Sequence, residues 1–182
     1  MPGHSHRIAL AYDLDLARRL LAEAGYPDGK GLPELELLVP EWLRDPAPLL
    51  EQWAALGACF RVVRGRIHAL KSVPPSTHLW LNDFVVDYPD PDGFFRGFFA
   101  GKPSFHTDDE IEEMIERARG LQDQGERMRL YHDLDRLVVA ERAAILPIFY
   151  GRFLVARRPW VESVSLNPME GAYLDEAVVR RG

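Results

Sequence analysis

Apolar residues recur along this chain with two different periods. In LDLARRLLAEAG, Leu14, Ala17, Leu21 and Ala24 fall on one helical face, with Leu20 beside it. Asp13 can cap the start of that helix, and Gly25 followed by Pro27 ends it. PDGKGLPE reads as a loop. LELLVP then reads as a buried strand ending at Pro40. A second helix is expected from Pro46 to Leu56, with Asp45 as its cap and Leu49, Leu50, Trp53 and Leu56 as its apolar stripe. Gly57 stops it. CFRVVR follows as a strand, with Cys59, Val62 and Val63 expected to face inward.

Pro74 and Pro75 interrupt any regular element between Gly65 and Thr77. HLWLNDFVV, rich in β-formers, is expected to be a strand. It runs into DYPDPDG, where Asp90, Pro91 and Asp92 supply a cap, a fixed φ and a first-turn acid. FFRGFFAG is then a short apolar helix closed by Gly101. Thr107 with Glu110, and Asp123 with Glu126, each open a further helix as a capping box. The first carries Ile111, Met114, Ile115 and Ala118 on one face. The second carries Leu130, Leu134, Leu137 and Val138, with Tyr131 alongside. AAILPIFYGRFLVAR reads as two apolar strands broken at Gly151. Helices alternating with strands predict an α/β fold, a mixed sheet flanked by helices, in one domain over residues 1–182.

Composition narrows the function classes. With 22 Lys and Arg against 28 Asp and Glu, the formal charge is −6, which argues against a nucleic-acid partner. No apolar stretch is long enough to span a bilayer, and MPGHSHR lacks the apolar core of a secretory signal. The single cysteine, Cys59, reads as a small buried hydrophobe rather than a zinc ligand. His4 and His6 have no third ligand nearby, and His68, His106 and His132 stand without nameable partners, so no metal site or cofactor is expected.

Nucleophile and nucleotide motifs are absent: there is no GxSxG, P-loop, HExxH or GxGxxG. Asp90 and Asp92 are better explained as capping acids than as a catalytic pair, and the glycine and distal glutamate of a calcium loop are not in place. Asp87 differs. It closes a β-rich run just before a turn, and ligands of open α/β sheets gather beyond the carboxyl ends of strands. Beside Phe84 and Tyr88, its carboxylate suits an ammonium group, through charge and aromatic faces together. The competing reading, an aspartate accepting backbone N–H groups of its own turn, is slightly favoured by residue physics alone.

Four segments, in order, carry a resemblance. YDLDLARRLLAEAGYPDGKGLPELELLVP looks like a helix ending in AEAGYP that leads into a strand. LLEQWAALGACFRVV looks like a QWxxLG helix followed by a strand. FVVDYPDPDGFFRGFF is similar to GWxADYPDPDNFL, and RMRLYHDLDRLVVAERAAILPIFYGRFLVARRPWVESVSLNP to a long helix, IPLYYG strands and an RPWV turn. Together they resemble the C-terminal part of the family 5 extracellular solute-binding proteins, the oligopeptide- and dipeptide-binding components of ABC importers. The resemblance covers nearly all of the chain.

The resemblance implies one lobe of a type II periplasmic binding protein, with no catalytic residues and no cofactor. It implies that Asp87, matching the aspartate of the ADY triplet, pairs with a peptide's α-ammonium, and that Phe84, at the place of the family's tryptophan, lines the same pocket; Tyr88, beside Asp87, is the third expected ligand-binding residue. This shifts the balance at Asp87 toward ligand binding. Phe84 keeps the apolar wall of the family's tryptophan without its indole donor, and Val86 replaces a small residue. A peptide or other small solute and the ABC permease subunits are the implied partners, and the implied location is extracytoplasmic. The N-terminal lobe and signal peptide are expected to be missing, so the chain alone is expected to bind peptide weakly or not at all. The alternatives are a ligand-sensing module of a regulatory protein and a free-standing lobe that self-associates through its exposed face.

Overall fold

The computed structural model describes residues 8, 10–65, 73–86, 88–99, 108–149, 154–167 and 171–180. His4, His6, His68, Asp87, Gly101, His106, Thr107 and Gly151, singled out above, lie outside the described residues. The backbone clusters into two compact units: Leu10–Phe84 with Phe98–Asp108, and Met1–Ala9 with Val85–Gly97 and Asp109–Gly182.

The first unit is built on a three-stranded parallel sheet in the order β2-β1-β3, comprising β1 (Leu35–Pro40), β2 (Phe60–Gly65) and β3 (Leu79–Trp80). LELLVP is the central strand, and Leu37, Leu38 and Val39 are fully buried. Burial of each side chain contributes roughly 1.5–3 kcal/mol, so a run that is apolar on both faces belongs between two other strands. Helix α1 (Leu14–Glu23) starts where expected: the Asp13 carboxylate accepts from the Leu16 N–H at 2.8 Å. Its apolar stripe is less sheltered than the pattern predicts, with Leu14, Ala17 and Leu21 half-buried and Leu20 exposed. Helix α2 (Ala47–Ala54) has Asp45 accepting from the Ala47 N–H at 2.9 Å, and Trp53 lies against Phe60 of β2 with ring centroids 4.9 Å apart.

Two turns in this unit touch backbone to backbone. Gly29 (φ +73°) and Gly57 (φ +78°) are both left-handed, and a Cβ on Gly29 would sit 2.5 Å from the Gly57 carbonyl oxygen. A Cβ on Gly57 would collide with the Asp28 carbonyl. Only glycine satisfies both the dihedral and the approach.

The second unit is helical at its core. Helix α3 (Pro91–Phe99) begins there, followed by α4 (Asp109–Gly120) and α5 (Gln124–Arg136), which ends in a π turn over Leu137–Glu141. Ile111, Ile115 and Ala118 of α4 are fully buried, as are Tyr131 and Leu134 of α5 and Leu137 and Val138 of the turn. Both stripes match the sequence pattern. Asp123 caps α5 by accepting from the Glu126 N–H at 2.7 Å. Two short antiparallel ribbons follow. One pairs β4 (Val161–Glu162) with β7 (Val178–Val179), and the other pairs β5 (Ser165–Asn167) with β6 (Gly171–Tyr173). The α/β class is as predicted, with the parallel and antiparallel pairings in separate sheets.

Three local expectations are corrected. HLWLNDFVV forms a strand only at Leu79–Trp80, extended by single bonds from the His78 N–H to the Glu36 carbonyl and from the Leu81 N–H to the Leu38 carbonyl. The described residues of AAILPIFYGRFLVAR form no strand, and Phe149 is 74% and Leu154 96% exposed. β-propensity describes fit to a pleated surface, and no described strand pairs with this segment. Cys59 is exposed, because it sits just before the edge strand β2 and not within the sheet interior.

Candidate functional site

The turn after the β-rich run is fixed by its own acids and by one face of α5. The Tyr88 carbonyl accepts from the Asp90 N–H at 2.8 Å, and the Asp90 carbonyl from the Gly93 N–H at 3.2 Å. Asp90 Oδ1 accepts from the Asp92 N–H at 2.9 Å, the cap expected of Asp-Pro-Asp. Gly93 leaves room for the Tyr88 ring, whose nearest atom would lie 3.3 Å from a Cβ there.

Arg127 of α5 grips Asp90 with both terminal nitrogens, Nη1 to Oδ2 and Nη2 to Oδ1, each at 2.7 Å. This two-pronged geometry suits a planar guanidinium and strengthens each bond through charge. One helical turn on, Tyr131 lies under the same guanidinium, 4.9 Å from ring centroid to Cζ. Its hydroxyl donates to Asp92 Oδ1 at 3.2 Å, and the Tyr88 hydroxyl donates to Asp92 Oδ2 at 2.9 Å. Arg96 and Arg119 bring further positive charge to Asp92, at 3.6 and 3.8 Å. Phe95 stacks flat against Tyr131, with the rings 6° from parallel.

The electrostatics follow from these contacts. The Arg127 hydrogen bonds hold the Asp90 carboxyl below its usual range, and Asp90 in turn raises Arg127. Burial, reinforced by the Asp92 charge, pushes the Tyr131 hydroxyl up to about 12. Burial and Asp92 also raise Tyr88. Asp92 is only 8% exposed and is surrounded by donors and cations, as a buried charge requires. All four carboxylate oxygens of Asp90 and Asp92 therefore have protein donors. Their chemistry is anchoring: they tie the turn to α5.

Tyr88 belongs to this anchor, half-buried with its hydroxyl committed to Asp92. Phe84 falls in the other unit, where it is 42% exposed and packs on Phe98 with centroids 4.8 Å apart. Asp87 lies outside the described residues.

A second polar cluster is not anticipated by the sequence reading. Glu36, on the central strand, is 4% exposed. Its carboxylate accepts from the Ser76 and Thr77 hydroxyls, each at 3.2 Å, and from Arg61 of β2. The one signal available was a lone acid inside the apolar run 35–39.

The chain superposes on "Clavulanic acid biosynthesis oligopeptide binding protein 2" with a TM-score of 0.75 at 21% identity, covering 99% of this chain and 37% of that one. The fold is that of one part of a periplasmic binding protein. HbpA2 from Haemophilus parasuis matches over 98% of this chain and 38% of its own, with a TM-score of 0.69 and 20% identity. The periplasmic binding protein DppA from Helicobacter pylori, solved with the peptide STSA, matches over 75% and 29%, with a TM-score of 0.62 and 21% identity. This chain thus spans 29% to 38% of the length of these structures. No family model matches the sequence, and no curated protein matches it.

Proposed function

We propose that residues 1–182 act as the C-terminal lobe of a two-lobed solute-binding protein that delivers a solute, a peptide by preference, to an ABC importer. The observation that carries this reading is the superposition of almost the whole chain on just over a third of an oligopeptide-binding protein. The fold neighbours named as binding proteins support a binding role rather than a catalytic one, and the periplasmic ones support an extracytoplasmic location. Permease subunits are the corresponding protein partners.

In this reading Asp87 supplies the fixed countercharge for the peptide's α-ammonium, with Phe84 and Tyr88 as aromatic neighbours. The anchor at Asp90 and Asp92 fits such a role, because a turn held by charged bonds keeps an adjacent carboxylate in place. A carboxylate partner lets backbone contacts accept varied side chains.

The test is calorimetric titration of trialanine into a two-lobed polypeptide that contains this chain. Asp87→Ala is expected to weaken binding by about 2–5 kcal/mol, the cost of leaving a buried charge unpaired. N-acetyl-trialanine, lacking the ammonium, is expected to discriminate little between the two proteins. Equal trialanine affinity in both would remove Asp87 from the site.

A further inference from the structure

The Glu36 cluster contains one contact whose chemistry depends on a proton. The backbone N–H of Glu36 points at His78 Nδ1, 3.0 Å away, while the backbone N–H of His78 donates to the Glu36 carbonyl at 3.1 Å. A backbone amide can only donate, so Nδ1 must be the bare nitrogen, and the neutral ring carries its proton on Nε2. The imidazole thus stands in for a main-chain carbonyl at the start of β3.

That substitution matters because β3 is short. Only Leu79 and Trp80 are ladder residues, paired with Leu37 and Leu38. The bonds flanking them are the two made by His78 and the one from the Leu81 N–H to the Leu38 carbonyl, at 2.9 Å. Ser76 and Thr77, immediately before His78, are tied to the Glu36 carboxylate. One short segment therefore holds both the main chain and the side chain of the buried glutamate.

We infer that His78 is a proton-sensitive latch on the β1–β3 pairing. Protonation at Nδ1 turns the acceptor into a donor and sets two N–H groups against each other. The ring must then leave the Glu36 amide. The charged groups tied to this strand pair among the described residues are the Glu36 carboxylate, bonded to the preceding Ser76 and Thr77, Arg61 on β2, which pairs with it, and Glu34, 4.0 Å from Arg61. The latch thus has two arrangements: imidazole on the amide, or imidazolium turned away from it. The first holds the start of β3 by its main chain, and the second leaves it held through Ser76 and Thr77. This device is independent of the ligand and of the role given to Asp87.

The experiment is amide hydrogen exchange of the 182-residue chain, read at Glu36 by NMR from about pH 8 to pH 5, the range in which a histidine changes charge. Protection of the Glu36 amide, corrected for intrinsic exchange, is expected to fall about tenfold on acidification, as for loss of one hydrogen bond. His78→Asn, whose Oδ1 can accept at the Nδ1 position without titrating, is expected to keep its protection throughout. Constant protection in the unmodified chain, or an equal fall in His78→Asn, overturns the latch. Should that variant not fold, the ring nitrogens of the unmodified chain decide: the Nε2–H tautomer at pH 8 supports the latch, and the Nδ1–H tautomer overturns it.

Discussion

At the scale of single residues, the turn at 88–93 shows how two acids near apolar surface are made tolerable. Asp90 does two jobs with two oxygens, capping α3 and holding Arg127. Asp92 is more deeply placed and draws on two tyrosine hydroxyls, with Arg96 and Arg119 nearby. The sign of the pH effect follows from the depressed Asp90 value. Its stabilising contribution is present above the ordinary carboxylate pKa of about 4 and is lost as pH falls through the lower, folded-state value. Asp90→Asn is therefore expected to cost about 1–3 kcal/mol in urea unfolding at pH 7, and much less near pH 2. An equal cost at both pH values would assign the loss to packing instead of charge.

The sequence made half of this arrangement legible. Asp-Pro-Asp announces a helix cap by local chemistry, and the cap is there. The grip of Arg127 was not legible, because the two residues are 37 positions apart and nothing in either neighbourhood names the other. Glu36 was missed for the same reason. Its partners come from Arg61 and from the 76–78 segment, and a lone glutamate in an apolar run gives no hint of who will satisfy it.

At the scale of elements, helices were read well and strands unevenly. A helix closes its own hydrogen bonds, so caps and a repeated apolar face are nearly sufficient to place it. α4 and α5 bury their stripes, and α1 starts at its cap with its stripe half-buried. A strand requires a neighbour, and the apolar segments flanking residue 151 have none among the described strands. The contact between the Gly29 and Gly57 turns is an element-scale feature too, since it joins the end of one helix-turn segment to the end of another. Gly57→Ala is expected to destabilise the chain by about 2 kcal/mol or more, through both the left-handed φ and the Asp28 collision. Gly120, where an added Cβ meets nothing within 4 Å, is the control. Gly120→Ala is expected to be neutral or stabilising by up to about 1 kcal/mol when both variants are compared in thermal melts.

At the scale of the whole molecule, many large apolar side chains stand exposed among the described residues. Leu146, Phe149, Leu154 and Trp160 in one unit, and Leu10, Tyr12 and Leu20 in the other, are each at least half exposed. Large apolar side chains left exposed in this number promote association. Light scattering coupled to size exclusion is expected to show mass rising with concentration for the 182-residue chain by itself. A constant monomer mass across the range would argue against such association.

The sequence by itself determined what depends on near neighbours in the chain. Periodicity placed the helices, Asp13, Asp45, Asp90 and Asp123 placed their starts, and the apolar run LELLVP, broken only by Glu36, placed a buried strand. Short-range dihedral and capping preferences act within a few residues, so they are written locally. Only the tertiary structure decided which strand lies beside which, how Asp90, Asp92 and Glu36 are neutralised, and where apolar segments remain exposed. Those outcomes depend on hydrogen bonds and ion pairs between distant segments, whose strength is set by the burial that folding itself creates.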